Sequence, residues 1–186
     1  VSLVAPVLVS TLTCNPTSLG QNASSTCTVT LSKAAPTGGA SVTLTRTGTT
    51  LTVPASVTVA AAATSATFSA TTTTIPSDQS STVTATYNSS SRTATISLVA
   101  PVLVSTLTCN PTSLGQNASS TCTVTLTKAA PTGGASVTLT RTGTTLTVPA
   151  SVTVAAAATS ATFSATTTTI PSDQSSTVTA TYNNSS

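Results

Sequence analysis

The 186-residue sequence contains no histidine, methionine or tryptophan, and its two acidic residues are both aspartates, Asp78 and Asp173. Aromatic residues make up 2% of the chain and charged residues 4%, and each shortage excludes a class of function. Acid–base and nucleophilic catalysis need a titrating group beside the reacting one, which Ser and Thr hydroxyls with one aspartate per half do not supply. An enzyme is therefore not expected. With no histidine or glutamate and four cysteines that lack CxxC spacing, no cofactor or metal is expected either. The net charge of +3 comes from single Lys and Arg residues scattered along the chain, so it makes no basic patch for nucleic acid or an anionic membrane. No apolar run reaches the roughly 18–20 residues that span a bilayer, and the greasiest stretch, ISLVAPVLV, is broken by Pro101. Val1 does not open a charged, then apolar, then cleavable leader, so any signal peptide is expected to have been removed or to lie outside this sequence.

What the chain does have is repetition. Ser2 begins a stretch that begins again at Ser97, an offset of 95 residues, and runs to Ser91 and Ser186 with two differences, Ser32 against Thr127 and Ser89 against Asn184. That period exceeds the roughly 20–50 residues of solenoid repeats and matches an independently folding domain. Two modules are expected, residues 1–98 (core from residue 5) and residues 99–186. Their junction lies at residues 99–101, with Pro6 and Pro101 stiffening the approaches. A domain of this size has a marginal core, which small secreted modules often reinforce with a disulfide. With so little charge, solubility rests on Ser, Thr and Asn.

Thr or Ser alternates with Val, Leu or Ala through nearly every segment, the period of two that marks half-buried strands. A first strand ends in TLTC at Cys14, and residues 26–31 turn Cys27, Val29 and Leu31 inward. Val42 and Leu44 follow, then Leu51 and Val53, Val57 and Val59, and Ala66, Phe68 and Ala70. Val83, Ala85 and Tyr87 make another strand, and Ala94, Ile96 and Leu98 the last. Turn signals NPTS, PTGG and PSDQ separate them, which gives about seven strands per copy, the count of a sandwich. VAAAATSATF has four alanines that favour a helix locally, but strand alternation on both sides and the flanking Pro54 favour a loop or hairpin.

LTVPASVTVAAAATSATFSATT at residues 51–72 and TVTATYNSSSRTATISL at residues 82–98 resemble the bacterial immunoglobulin-like (Ig-like) repeats found in tandem in large secreted and surface proteins. The resemblance covers essentially all of each repeat. It implies an all-β fold of two tandem Ig-like β-sandwich domains of about seven strands each, at the cell surface or outside the cell. It also implies a structural spacer, stalk or filament segment, by analogy of fold. The alternative is an adhesin or carbohydrate-binding module acting through its loops. Such sites favour aromatic platforms, and Phe68 and Tyr87 both sit at inward positions. One departure stands out: antibody-type domains tie their two sheets with a disulfide against a Trp, and this chain has no Trp.

Four cysteines allow three connectivities, and pairing Cys14 with Cys27 and Cys109 with Cys122 is the one that lets both copies fold alike and independently. Their positions point to a staple across the first hairpin-like connection, worth roughly 3 kcal/mol on the chain-entropy model. A metal site or redox pair is the competing reading, and it lacks histidines and the CxxC spacing.

The resemblance also brings in an intramolecular crosslink of the kind some Ig-like stalk domains form. Lys33 and Asp78, and Lys128 and Asp173, are its candidates, with Asn15, Asn22 and Asn88 as partners. Against it, Asp78 cannot be both partner and helper, and a lone Lys beside a PTGG turn is ordinarily solvated. Asn22, Asn88, Asn117, Asn183 and Asn184 each open an N-x-S glycosylation sequon.

The ends of the copies differ. Copy one closes with RTATISL, while copy two stops at Ser186, the counterpart of Ser91, and a fragment of the same type, VSLV, stands at the start of the chain. One reading is a boundary inside a longer array. The other is strand donation, in which residues from Val1 onward complete the last module of another chain through an open sheet edge, so that partners are neighbouring identical repeats or chains. An intact mass below the sequence mass by the four cysteine hydrogens alone is expected, and a further loss of ammonia or water would establish the Lys crosslink.

Overall fold

Threonine and valine branch at Cβ, which limits them in helices and fits them to the pleat of a sheet. Runs in which they alternate with each other become strands with one apolar and one hydroxyl face. The computed structural model describes residues 4–186, and none of these is helical. They fall into two compact units, the first ending at Pro101 and the second being Val102–Ser186.

The first unit contains β1 (Val9–Asn15), β2 (Ser18–Leu19), β3 (Ser24–Leu31), β4 (Ala40–Arg46), β5 (Leu51–Thr52), β6 (Ser56–Val59), β7 (Ser65–Thr72), β8 (Gln79–Tyr87) and β9 (Ser90–Leu98). β2 and β5 are two residues long, which leaves seven strands of four or more. They form two sheets in the orders β1-β3-β7-β5 and β2-β9-β8-β4-β6. The inward positions of both sheets make one core, in which Val29, Val42, Leu51, Val59, Val83 and Ile96 are fully buried. Each such side chain contributes roughly 1.5–3 kcal/mol by leaving water. Phe68 is buried with them, and Tyr87 and Ala94 are half-buried against the same cluster.

One segment departs from its sequence signal, and another follows the expectation against its local helix preference. NPTS reads as a turn, yet Ser18 and Leu19 form β2, which pairs in parallel with Ser97 and Leu98 of β9. The cause is Pro16, which has no N–H to continue the ladder with β3 beyond Asn15, so the chain crosses to the opposite sheet and buries Leu19 there. Ala60 to Ala63 form the expected loop, held by tertiary bonds in place of a helix. The Ala62 N–H donates to the Ala35 carbonyl at 3.0 Å and the Ala35 N–H to the Ala63 carbonyl at 2.7 Å, with Ala62 at φ 65°. The segment is a loop that carries the chain from β6 in one sheet to β7 in the other.

Two devices hold the remaining connections. Asn88 and Ser89, at φ 47° and 61°, form the two-residue turn of the β8–β9 hairpin, the left-handed pair whose twist suits adjoining strands. Thr72, buried on β7, latches the β2–β3 connection: its Oγ1 donates to the Gly20 carbonyl at 2.7 Å and accepts from the Ala23 N–H at 3.0 Å.

The second unit repeats these elements as β10 (Val104–Asn110), β11 (Ser119–Leu126), β12 (Ala135–Arg141), β13 (Leu146–Thr147), β14 (Ser151–Val154), β15 (Ser160–Thr167) and β16 (Val178–Thr181). Its sheets are β10-β11-β15-β13 and β14-β12-β16. Thr167 latches Gly115 and Ala118 as Thr72 does Gly20 and Ala23.

Replacing Ser89 by glycine, which takes positive φ without steric cost, should stabilise the first unit by roughly 0.5–1 kcal/mol in urea unfolding. Thr72→Val should lower its stability by about 1–3 kcal/mol, because a buried donor and acceptor lose their partner.

Candidate functional site at the closing sheet edge

In the first unit β9 lies between β8, to which it is antiparallel along its full length, and the short β2, to which it is parallel. Its two halves differ. Residues 90–95 are exposed or half-buried, whereas Ile96 is 0% exposed, Leu98 2% and the following Ala100 7%. Three main-chain bonds fix this second half. The Ser97 N–H donates to the Thr17 carbonyl and the Val99 N–H to the Leu19 carbonyl, both at 2.8 Å, and the Ala100 N–H donates to Asp78 Oδ1 at 2.8 Å. Asp78, in sequence only part of a PSDQ turn, thus holds the point where the chain leaves the sandwich.

In the second unit the counterparts of Ser90 and Ser91 are Ser185 and Ser186, the last residues of the sequence. Nothing among the described residues occupies the place that β9 takes in the first unit, and the two units differ there in three ways. Ser113 and Leu114, the counterparts of β2, are not a strand. β16 is four residues long where β8 has nine. Finally, a groove of about 680 Å³ opens along this edge, with Leu107, Cys109, Leu114, Leu146, Ile170 and Val178 in its walls. The first-unit counterparts of these six are all buried.

The cysteines expected to pair do so, Cys14 with Cys27 and Cys109 with Cys122, at Cα separations of 4.0 and 3.9 Å. Each pair sits directly opposite on adjacent strands of one sheet, β1 with β3 and β10 with β11. The bond staples neighbours rather than tying the two sheets. Lys33 and Asp78 take different partners: Lys33 Nζ donates to the Ala5 carbonyl at 3.2 Å and Asp78 accepts from Ala100. The five sequon asparagines, Asn22, Asn88, Asn117, Asn183 and Asn184, are exposed and all have positive φ. Asparagine tolerates this left-handed backbone, which accounts for its place at each turn. Asn88 Nδ2 also donates to the Val7 carbonyl, and Asn183 Nδ2 to that of Val102, both at 3.0 Å. Among the described residues, no three His, Cys, Asp or Glu side chains gather as metal ligands, and no helix is long and apolar enough to cross a membrane.

Counting strands of four or more residues, the first, second and fifth share one sheet, and the third, fourth, sixth and seventh share the other. The first-second-fifth and third-sixth-seventh groups are those of the immunoglobulin sandwich, while the fourth strand, β6, pairs with the third instead of joining the first sheet. The fold is Ig-like, twice over. No protein-family model matches the chain, and no curated protein does. Among solved structures the Ig-like pair is similar to the D00-D0 domain of Intimin, at 13% identity over 93% of each chain with a TM-score of 0.50. It is similar also to the D0-D1 domain of Intimin, at 19% identity over 95% of this chain and 92% of that one, TM-score 0.42. A third is the Yersinia pseudotuberculosis adhesin InvE, at 21% identity over 86% of this chain and 53% of that one, TM-score 0.40. These likenesses concern the fold.

Calorimetry should resolve two transitions, the lower belonging to the second unit, whose edge is open. Replacing Cys14 and Cys27 together by serine should cost the first unit about 3 kcal/mol, and leave the second transition in place.

Proposed function

We propose that this chain is a structural segment of an extracellular or cell-surface protein, a spacer or filament piece built from Ig-like modules in series. The observation that carries this reading is the economy of the junction. The strand that closes the first sandwich ends at Leu98 and the next sandwich begins at Val104, so one continuous segment both completes a module and leads into its successor. Such a design suits repetition end to end. The disulfides support an oxidising compartment outside the cytosol. Both aromatic side chains of each copy are packed against the core, Phe68 and Tyr87 in one and Phe163 and Tyr182 in the other, which favours a mechanical role over a ligand platform.

Stretching the protein in a single-molecule force experiment tests the reading. Two unfolding events are expected, each module resisting load. A reductant should lengthen each released contour by roughly 40 Å, the reach of the 13-residue separation closed by each disulfide. Modules that yield without measurable force would reject a load-bearing role. A reproducible binder on a glycan array would favour the carbohydrate-binding alternative.

A further inference from the structure

We infer that Asn88, Ser90 and Arg92 form a side-chain clamp on β1 through which the first module resists tension. The inference rests on the reading of the chain as a load-bearing spacer and names the contact that bears the load.

The inward face of β9 contains two residues that do not belong to a core. The alternation that turns Ala94, Ile96 and Leu98 inward also places Ser90 and Arg92 on that face, polar side chains where apolar ones are expected. Their partners account for them. β1 and β9 lie in different sheets and share no main-chain ladder. Ser90 Oγ nevertheless donates to the Val9 carbonyl at 3.2 Å, and Arg92 Nε to the Ser10 carbonyl at 3.0 Å. Asn88 Nδ2 adds its bond to the Val7 carbonyl, in the residues that lead into β1. A second guanidinium nitrogen, Arg92 Nη1, donates to the Ser91 carbonyl at 2.8 Å and fixes the group in place.

β1 is the edge of its sheet, with β3 on one side only. Its register with β3 shifts between Val9 and Thr11, so Ser10 has no partner there, and this bulge leaves two consecutive carbonyls to the side chains of β9. The three donors thus stand where an adjoining strand would bond an open edge. The second unit repeats the first two of them: Asn183 bonds the Val102 carbonyl, and Ser185 Oγ donates to the Val104 carbonyl at 3.4 Å.

The order of the bonds gives the clamp its direction. Val7 takes Asn88, Val9 takes Ser90 and Ser10 takes Arg92; further on, Thr17 takes the Ser97 N–H and Leu19 the Val99 N–H. Residue numbers rise together, so the two segments run the same way. Tension enters the module at the start of the first segment and leaves at the end of the second, which drags one past the other. The bonds lie across that motion and are loaded together, whereas bonds unzipped from an end break one at a time. Forced unfolding is governed by the unfolding rate, and contacts that must break before the barrier set that rate.

Force spectroscopy on the full 186-residue chain tests the clamp. Combining Asn88→Gly, Ser90→Ala and Arg92→Met removes the three donors, while glycine keeps the positive φ of residue 88. One of the two unfolding events should move to lower force, its rate at fixed load rising roughly tenfold or more, and the event of the unaltered second unit should stay. Among single variants, Arg92→Lys, which retains a cationic donor, should keep more of the force than Arg92→Met. Ser81→Ala is the control. Ser81 Oγ donates to the Thr47 carbonyl at 2.7 Å, between β8 and the β4–β5 connection, so its loss should lower the urea midpoint and leave the force unchanged. An event that does not move in the triple variant overturns the inference. So does a Ser81→Ala chain that weakens under load as far as the triple variant, because general destabilisation then suffices. If the triple variant shows a single event, Arg92→Met alone decides by the same comparison. Modules that yield without measurable force in the unaltered chain reject the load-bearing reading and the clamp with it, whereas a measurable force indifferent to these donors rejects the clamp alone.

Discussion

An Ig-like sandwich has to shut along its long edge, and in this protein a single strand does the shutting. β9 bonds β8 on one side and β2 on the other, and sends Ile96 and Leu98 between the sheets. The second unit shows how much else follows from that strand. Where it is lacking, the counterpart of β2 loses its pairing, that of β8 shortens, and Leu114 and Ile170 move from buried to half-buried. Apart from Ile96, Leu98 and Ala100, the core residues of the first copy recur in the second, so the contrast comes from the edge. Backbone N–H and C=O groups need partners, and apolar side chains need a lid against water; the closing strand supplies both at once.

The rest of the module stays together with little chemistry. Its interior is mostly valine, leucine and alanine with one phenylalanine, which limits the apolar area each unit can bury. Local fastenings compensate. The disulfide joins β1 to β3, the Thr72 latch fixes the turn between β2 and β3, and Asp78 anchors the exit of β9. Outside, rows of threonine occupy the outward positions of the strands, almost without charge. The result is a bead that carries its own reinforcement and connects to the next by five residues, 99–103. Such a bead can be repeated without any change in sequence, and the near-identity of the two copies is consistent with that use.

Most of the strand layout was legible because Thr–Val alternation has one physical meaning: a period of two with β-branched residues is a half-buried strand. Val29, Val42, Val83 and Ile96 were all placed inward on that ground, and all are fully buried. The disulfide pairing was legible from the symmetry of the two copies. β2 was not, because two residues after a proline carry no periodicity, and the parallel bond to β9 joins positions nearly eighty residues apart. The role of Asp78 was hidden for the same reason: an aspartate in a PSDQ turn looks like turn chemistry until Ala100 is brought beside it. The sequon asparagines show the converse, a motif whose simplest cause is the left-handed backbone of turns.

The sequence by itself determined the all-β class, the two modules and the inward faces of their strands, since all of these are local or periodic properties of the chain. Only the tertiary structure decided how the two sheets close on each other. Leu12, Leu51 and Val83, distant in sequence, converge with Ile96 and Leu98 on one core of the first unit. Convergence of that kind depends on which strands become neighbours across two sheets, and no stretch of the chain read in isolation contains it.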